Sequence, residues 1–455
     1  MRAKLGALLA AVLLLGPLSG WSGEASAGFN EKFEPADGKT LVIVGQDRNE
    51  MNAYVNISGL NTPAGFMFYT NTQQADGVTS SYDAGGGIQD FQHWDNYYSN
   101  SVMQIGLYMV GDLDNVTNGS RNANLDKLAN AIAASNKPVF LRIGYEFDGP
   151  WNSYDPTKYK NAYKYIVDRF NSKGLTNVAY VWHSAAWPST YNNYAYADWY
   201  PGDSYVDWVA VSWFSDEGSA TARNALASFA TSHSKPLMIA EAAPKEKYEP
   251  SKGQTAWDNW FDPVFDWIEA NNVKAYSYIN QDWDAQSMWV GQGWGDTRIQ
   301  TNSTVESNWK SRTGGSRYLH SSTDLFDAIG FTQSLPGVIE AEGYKAMSGV
   351  QLGSDDGSGV VGWIDTGDWL DYKVNVTSAG WYAVKYRVAS PNSGTQLQLK
   401  SGSSTLHTVN LPNTGQWYTY NTVSGNNVYL NAGIQTIRVH ASTGGFNINY
   451  LELTK

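Results

Sequence analysis

Eight short apolar runs, spaced between stretches of helical periodicity, constrain this chain more than any other feature. They are Thr40–Val44, Gly65–Phe68, Met103–Tyr108, Pro138–Ile143, Val178–Trp182, Trp208–Ser212, Pro236–Ala240 and Ala275–Ile279. Amphipathic segments lie between several of them: Leu125–Ser135, Pro156–Asn171 with proline near its first turn, Leu226–Ser232, and Trp257–Asn271. Parallel strands need a crossover to return to the same edge, so strands alternating with helices predict a parallel sheet. Eight such units over ~290 residues predict an α/β fold of the (β/α)8 TIM-barrel type. The alternative, a doubly wound open sheet, would carry a glycine-rich phosphate loop after its first strand. Val44-Gly45-Gln46-Asp47 is not one.

After about Ser321 the texture changes. Helical periodicity stops, and short alternating runs follow, punctuated by turn clusters such as Ser390–Gly394 and Ser442–Gly445. This predicts an all-β sandwich of jelly-roll type over 336–455, behind a barrel domain over 28–328. No Pro/Ser/Gly-rich linker separates them, so the two domains are expected to pack closely. The first 27 residues read as a secretory signal peptide: Arg2 and Lys4, then apolar Leu5–Leu15, then the small-x-small Ala25-Ser26-Ala27. The expected product is secreted, cleaved after Ala27, with no membrane anchor.

Composition narrows the chemistry. Cysteine is absent, which removes disulfides, thiol catalysis and zinc thiolates. A net charge of −12 argues against a nucleic-acid partner. The chain holds 19 Trp and 29 Tyr, whose flat apolar faces with one polar tip suit sugar rings as well as protein cores. A barrel of this class keeps its chemistry at the C-terminal ends of its strands. There the fourth run leads into Arg142-Ile143-Gly144-Tyr145-Glu146-Phe147-Asp148 and the seventh into Ala240-Glu241. An acid that follows buried apolar residues is costly unless it is used or paired. Two of them aimed into one cleft supply the pair that glycoside hydrolysis needs. Asp47 and Asp148 are further strand-end acids, and each of the four could instead be a cap or an ion-pair partner of Arg142.

Glutamates at the ends of strands four and seven resemble clan A of the retaining glycoside hydrolases. The wording is similar to the β-1,3-xylanases of glycoside hydrolase family 26 in six ordered segments. These are Val44–Asp47, Phe140–Asn152, Tyr200–Phe214, Lys235–Glu241, Tyr278–Asp284 and Gly293–Asn302. The resemblance implies Glu146 as general acid/base, Glu241 as nucleophile, and retention of anomeric configuration. It places Asp47, Arg142, Tyr145, Asp148, Trp151, Trp182, His183, Trp213, Tyr278, Trp283 and Trp294 at the barrel mouth as substrate-binding candidates. Trp289 joins them as a candidate stacking ring. Tyr145 stands where the wider family has histidine. Trp213-Phe214 stands where clan members hold the nucleophile with a tyrosine. The substrate implied is a β-linked polysaccharide, first β-1,3-xylan, with mannan, mixed-linkage glucan or an agar- or carrageenan-type galactan as alternatives. A non-catalytic polysaccharide-binding protein is the alternative of another class.

The C-terminal domain resembles carbohydrate-binding module family 6 through Gly337–Tyr344, Gly362–Val376, Leu411–Tyr420 and Gly444–Leu453. That resemblance implies a sugar clasped by Trp363 and Trp417 and oriented by Asn447. Glu340 and Glu342 alternate with Ile339 and Ala341, so both leave one face of the strand, and the resemblance implies a structural Ca²⁺ there. No cofactor is expected for catalysis, and a monomer is expected.

Overall fold

A computed structural model describes residues 28–187, 194–214, 220–355 and 357–455. The signal-peptide reading of residues 1–27 lies outside the described residues. Eight parallel strands form the first domain: β1 (Thr40–Gly45), β2 (Gly65–Asn71), β3 (Val102–Tyr108), β4 (Val139–Ile143), β5 (Val178–Ser184), β6 (Trp208–Trp213), β7 (Leu237–Ala242) and β8 (Ala275–Ile279). Each pairs with the next, and β8 pairs back onto β1 through Leu41↔Ala275 and Val44↔Tyr278, so the sheet closes. Helices α1 (Arg48–Val55), α2 (Asn122–Ser135), α3 (Pro156–Ser172), α4 (Ala220–Ser232) and α5 (Asp262–Ala270) lie among the connections. Local rules start them: Asp155 accepts from the Lys158 amide, and Pro156, which needs no amide partner, opens α3. Among the described residues no helix is long and apolar enough to cross a membrane.

Strand alternation sorts side chains into two cores. Leu41, Ile43, Met67, Phe140, Val181, Trp208 and Met238 fill the barrel interior. Val42, Phe66, Leu141, Trp182, Trp213 and Tyr278 face the helices. Fully burying each large apolar side chain contributes roughly 2 kcal/mol.

The second domain is two packed sheets, antiparallel apart from the parallel pairing of Gln333–Leu335 with Trp369–Val376. One runs β9 (Gln333–Leu335), β12 (Trp369–Val376), β18 (Gly433–Thr443), β14 (Gln396–Ser401), β15 (Ser404–Asn410). The other contains β11 (Ser358–Ile364), β19 (Phe446–Thr454), β13 (Gly380–Ala389) and β16 (Asn421–Ser424). In addition, β10 (Gly337–Glu340) pairs with β19 and β17 (Val428–Leu430) with β13. Tyr372, Tyr382, Val384, Tyr386, Leu451 and Leu453 fill the space between the sheets. The domains meet directly. Asn136, in the left-handed position that ends α2, donates to the Ser334 and Val338 carbonyls and accepts from the Ser334 amide. Lys345 pairs with Asp324, and Lys373 with Asp327.

Candidate active site

The top layer of the barrel interior is polar. Tyr69, Arg142, His183 and Ser212 follow the inward residues Met67, Phe140, Val181 and Ala210 at the two-residue spacing of a strand. Glu241 breaks that rule, because Met238 and Ala240 already point inward. A β-bulge in β7 restores it: Val211 pairs with Ile239, but Ser212 pairs with Glu241, so Ala240 is the extra residue. The amide of Gln104 in β3 donates to the Ala240 carbonyl at 2.7 Å and is itself fixed by Ser277 of β8 at 2.6 Å. Gly106 leaves room for the layer, since a Cβ there would lie 2.7 Å from the Tyr69 ring and 2.9 Å from Arg142 Nη2.

Glu241 receives two bonds on one oxygen. Arg142, fully buried, donates Nη1 to Oε1, and Tyr69 donates its hydroxyl to the same atom at 2.8 Å. The Arg142 guanidinium also sits against the Tyr69 and Tyr145 rings, at 4.9 and 5.2 Å. The tyrosine expected after strand six is thus supplied from β2 instead. Its sequence signal is weak because the apolar run ends at Phe68. Alternation carried one residue further would have turned Tyr69 inward.

Glu146 follows β4 in the left-handed region, φ 53°, after Gly144 at φ 56°. A non-glycine residue held there is strained, and such positions cluster at functional sites. Its Oε1 accepts from Ser212 Oγ at 2.7 Å and its Oε2 from the Trp151 indole at 3.2 Å. Ser212 in turn meets His183 Nε2 at 3.0 Å, and His183 Nδ1 meets Arg142 Nη1 at 3.3 Å. Arginine can only donate, so Nδ1 accepts and the histidine proton lies on Nε2. Burial, then the Arg142 charge, pushes the His183 pKa well below its usual value and keeps the ring neutral. The donors therefore run one way, from Arg142 through His183 and Ser212 to Glu146. Burial, followed by the negative charge of Glu241, raises the Glu146 pKa to about 8.

The remaining barrel candidates divide. Tyr145, Trp151 and Trp294 lie at the mouth. Trp151 is 52% exposed and meets Trp187 edge to face. Trp294 is half-buried in a cluster with Trp289 and with Trp283, which forms its floor and donates to Thr297. Five candidates are corrected to buried structural roles. Trp182 packs under the helices against Phe147, Tyr200 and Phe229, because it is the outward neighbour of His183. Trp213 faces α4 and α5, between Arg223 and Trp267. Tyr278 is sealed against Trp309 and donates to the Thr297 carbonyl. Asp47 caps α1 by accepting from Asn49 and Glu50, and also accepts from Ile88. Asp148, buried just below, ties down the loop after β5 by accepting from Ser184, Ala185 and Trp187, and burial raises its pKa to about 6.

On the sandwich, Trp363 and Trp417 are 61% and 44% exposed. Asn447 links them. Its amide donates to the Trp417 carbonyl at 2.9 Å, and its Oδ1 abuts Gly362, where a Cβ would lie 2.7 Å away. Trp363 holds φ 52°. Further along the same two strands, β11 and β19, and near Lys137 and Asp95 of the barrel, Glu340 and Glu342 are largely buried, and both Glu342 oxygens lack a hydrogen-bond partner. Burial raises Glu340 to about 8, with the Glu342 charge adding, and burial raises Glu342 to about 7. Among the described residues no group of three or more acids and histidines is placed to hold a metal.

A closed parallel barrel with two buried carboxyl groups at the C-terminal ends of β4 and β7, joined to a sandwich with an exposed aromatic clasp, defines a modular carbohydrate-active enzyme. The glycosyl hydrolase family 26 model matches residues 20–245, and the family 6 carbohydrate-binding module model matches 340–455. The chain is 34% identical over 327 residues to β-1,3-xylanase TXYA of a Vibrio species, covering 67% of this chain and 70% of that protein. It is likewise 34% identical over 324 residues to a β-1,3-xylanase of an Alcaligenes species, covering 66% and 68%. Among solved structures, the C-terminal family 6 module of LamC from Zobellia galactanivorans is 35% identical, covering 26% of this chain and 98% of its own, with a TM-score of 0.25. The chain belongs to glycosyl hydrolase family 26 and carries a family 6 carbohydrate-binding module.

Proposed function

We propose that this glycoside hydrolase is a secreted, monomeric endo-enzyme that cleaves β-1,3-xylan by double displacement, with Glu146 as acid/base and Glu241 as nucleophile. The observation that carries the reading is the unequal treatment of the two carboxyl groups. Both bonds to Glu241 fall on Oε1, which holds the carboxylate and leaves Oε2 to attack the anomeric carbon. Glu146 receives the Ser212 hydroxyl on Oε1, so its acid proton belongs on Oε2, on the Trp151 side, where the leaving oxygen would sit. The glycosidic C–O bond breaks as the Glu241–carbon bond forms, and the proton passes from Glu146 to the departing oxygen. Once Glu241 is an ester its charge is gone, so the pKa of Glu146 falls. Glu146 can then take a proton from the water that releases the sugar. The basic limb of kcat/KM should therefore fall with a midpoint near pH 8, because deprotonation removes the acid. A profile flat to pH 9.5 rejects Glu146 as that acid.

The substrate rests on similarity to the two β-1,3-xylanases. It is tested by measuring reducing ends released from β-1,3-xylan, β-1,4-xylan, mannan, mixed-linkage glucan, agarose and carrageenan. Release confined to β-1,3-xylan is expected. Release from another polymer alone keeps the mechanism and overturns the substrate. Secretion rests on the pattern of residues 1–27 and is checked by the mass of the mature amino terminus, expected at Gly28.

Calcium belongs to the same proposal. The orphaned Glu342 oxygens beside a second buried carboxyl fit a hard cation, and Glu340 and Glu342 would hold it. A cation bound only by the folded sandwich would add about 3–4 kcal/mol at 100 to 1,000 times its Kd. Millimolar Ca²⁺ should raise the melting temperature of the sandwich, EDTA should reverse this, and Glu342→Gln should abolish the difference. An unchanged melting curve removes calcium from the account.

A further inference from the structure

The outer face of the β11/β19/β13 sheet is covered at one end and open at the other. At the covered end, Tyr420 closes over Val360 and Ala389. Ala389 pairs there with Asn447, beneath the segment that carries Trp417. From Ala389 the outward positions of β13 run through Arg387, Lys385 and Ala383 to Trp381. Their partners are Tyr450, Glu452 and Thr454 on β19 and Tyr429 on β17. Arg387 donates to the Tyr420 carbonyl, and Lys385 pairs with Glu452 at 3.1 Å. At the far end Trp381 and Tyr429 are 63% and 50% exposed, meeting edge to face with centroids 5.7 Å apart. On the other sheet Trp369 has its ring capped by Arg438 at 3.9 Å. No cation is recorded over Trp381 among the described residues.

We infer that this open face is a second polysaccharide-binding strip, continuous with the Trp363/Trp417/Asn447 site, with Trp381 and Tyr429 as its distal platform. The inference rests on the proposed sugar clasp at that site. From Arg387 to Trp381 the open part of the strip spans about 20 Å at ~3.3 Å per residue, room for several sugar units. Its make-up matches a carbohydrate chain: aromatic faces at both ends, and between them small residues, the paired Lys385 and Glu452, and Arg387 bonded to the Tyr420 carbonyl. Two linked contacts on one chain multiply affinity for a polymer without changing that for a short fragment.

The test uses the full chain in a Glu241→Ala background, so that the probe survives. Depletion isotherms on insoluble β-1,3-xylan, agarose and mixed-linkage glucan are compared with calorimetric binding of β-1,3-xylobiose. Trp381→Ala with Tyr429→Ala is expected to weaken polymer retention about tenfold and to leave xylobiose binding unchanged. Trp381→Phe should keep most of the retention, and matching melting curves exclude misfolding. Trp363→Ala should abolish xylobiose binding. If it does not, the clasp assignment fails while the Trp381 comparison still reads out. Equal polymer retention with and without Trp381 and Tyr429 overturns the strip, as does a parent that binds none of the three polymers. So does a concentration-dependent dimer that the same substitutions dissolve.

Discussion

Glu241→Ala is expected to lower kcat on polymer by about four to six orders of magnitude, with polymer binding retained. The loss is large because no neighbour can take over bond formation to carbon: Arg142 and Tyr69 are donors, and Glu146 is raised into its acid form. The variant also opens a carboxylate-sized space against the sugar. Azide filling it should attack an activated aryl β-glycoside from the vacated face and give the α-glycosyl azide. In Glu146→Ala the same anion enters after Glu241 has reacted and gives the β-product. Glu146→Ala should cost about two to four orders of magnitude on polymer and far less on a substrate whose leaving group needs no proton. NMR of the azide products reads out both assignments. The same anomer from both variants, or hydrolysis surviving in Glu241→Ala, would remove Glu241 from the reaction.

Arg142→Met should produce the largest loss of stability, about 3–5 kcal/mol. Arg142 is fully buried and its charge is matched by Glu241 alone among its bonded partners. Removing it leaves Glu241 as a buried anion beside Glu146. The barrel transition should then fall by about 10 °C, while the sandwich transition stays in place as an internal control. The double variant Arg142→Met/Glu241→Gln should recover most of that loss, because the stranded charge goes with its partner. A double variant no more stable than the single one would show that Arg142 acts through packing against Tyr69 and Tyr145 instead.

The barrel was legible in the sequence because strands buried on both faces read as apolar runs. Its ends were less so. The second ladder continues to Asn71, past polar Tyr69 and Thr70 that look like loop. The acids were legible for a related reason, since Glu146 and Glu241 each follow a buried run. Which strand-end residues face the cleft was decided by parity. Trp182 and Trp213 sit one residue off His183 and Ser212 and so belong to the helix layer. Counting from the inward residues would have separated them. Asp47 failed for another reason, because an acid before a helix is as good a cap as a ligand. The Ala240 bulge had no local signature. It shows only in the pairing of β7 with both neighbours.

That bulge makes the seventh strand a poor module for grafting. Moved alone into another eight-stranded barrel, the segment Leu237–Ala242 would revert to regular pairing and point its glutamate at the helices. The information that aims the carboxylate is written on two other strands, in the Gln104 amide that holds the looped-out carbonyl and the Ser277 hydroxyl that holds Gln104. A designer recombining barrels of this kind would have to carry three strands together. A one-residue deletion at Ala240, by contrast, would leave Glu241 facing the cleft by plain alternation and make the Gln104 contact unnecessary.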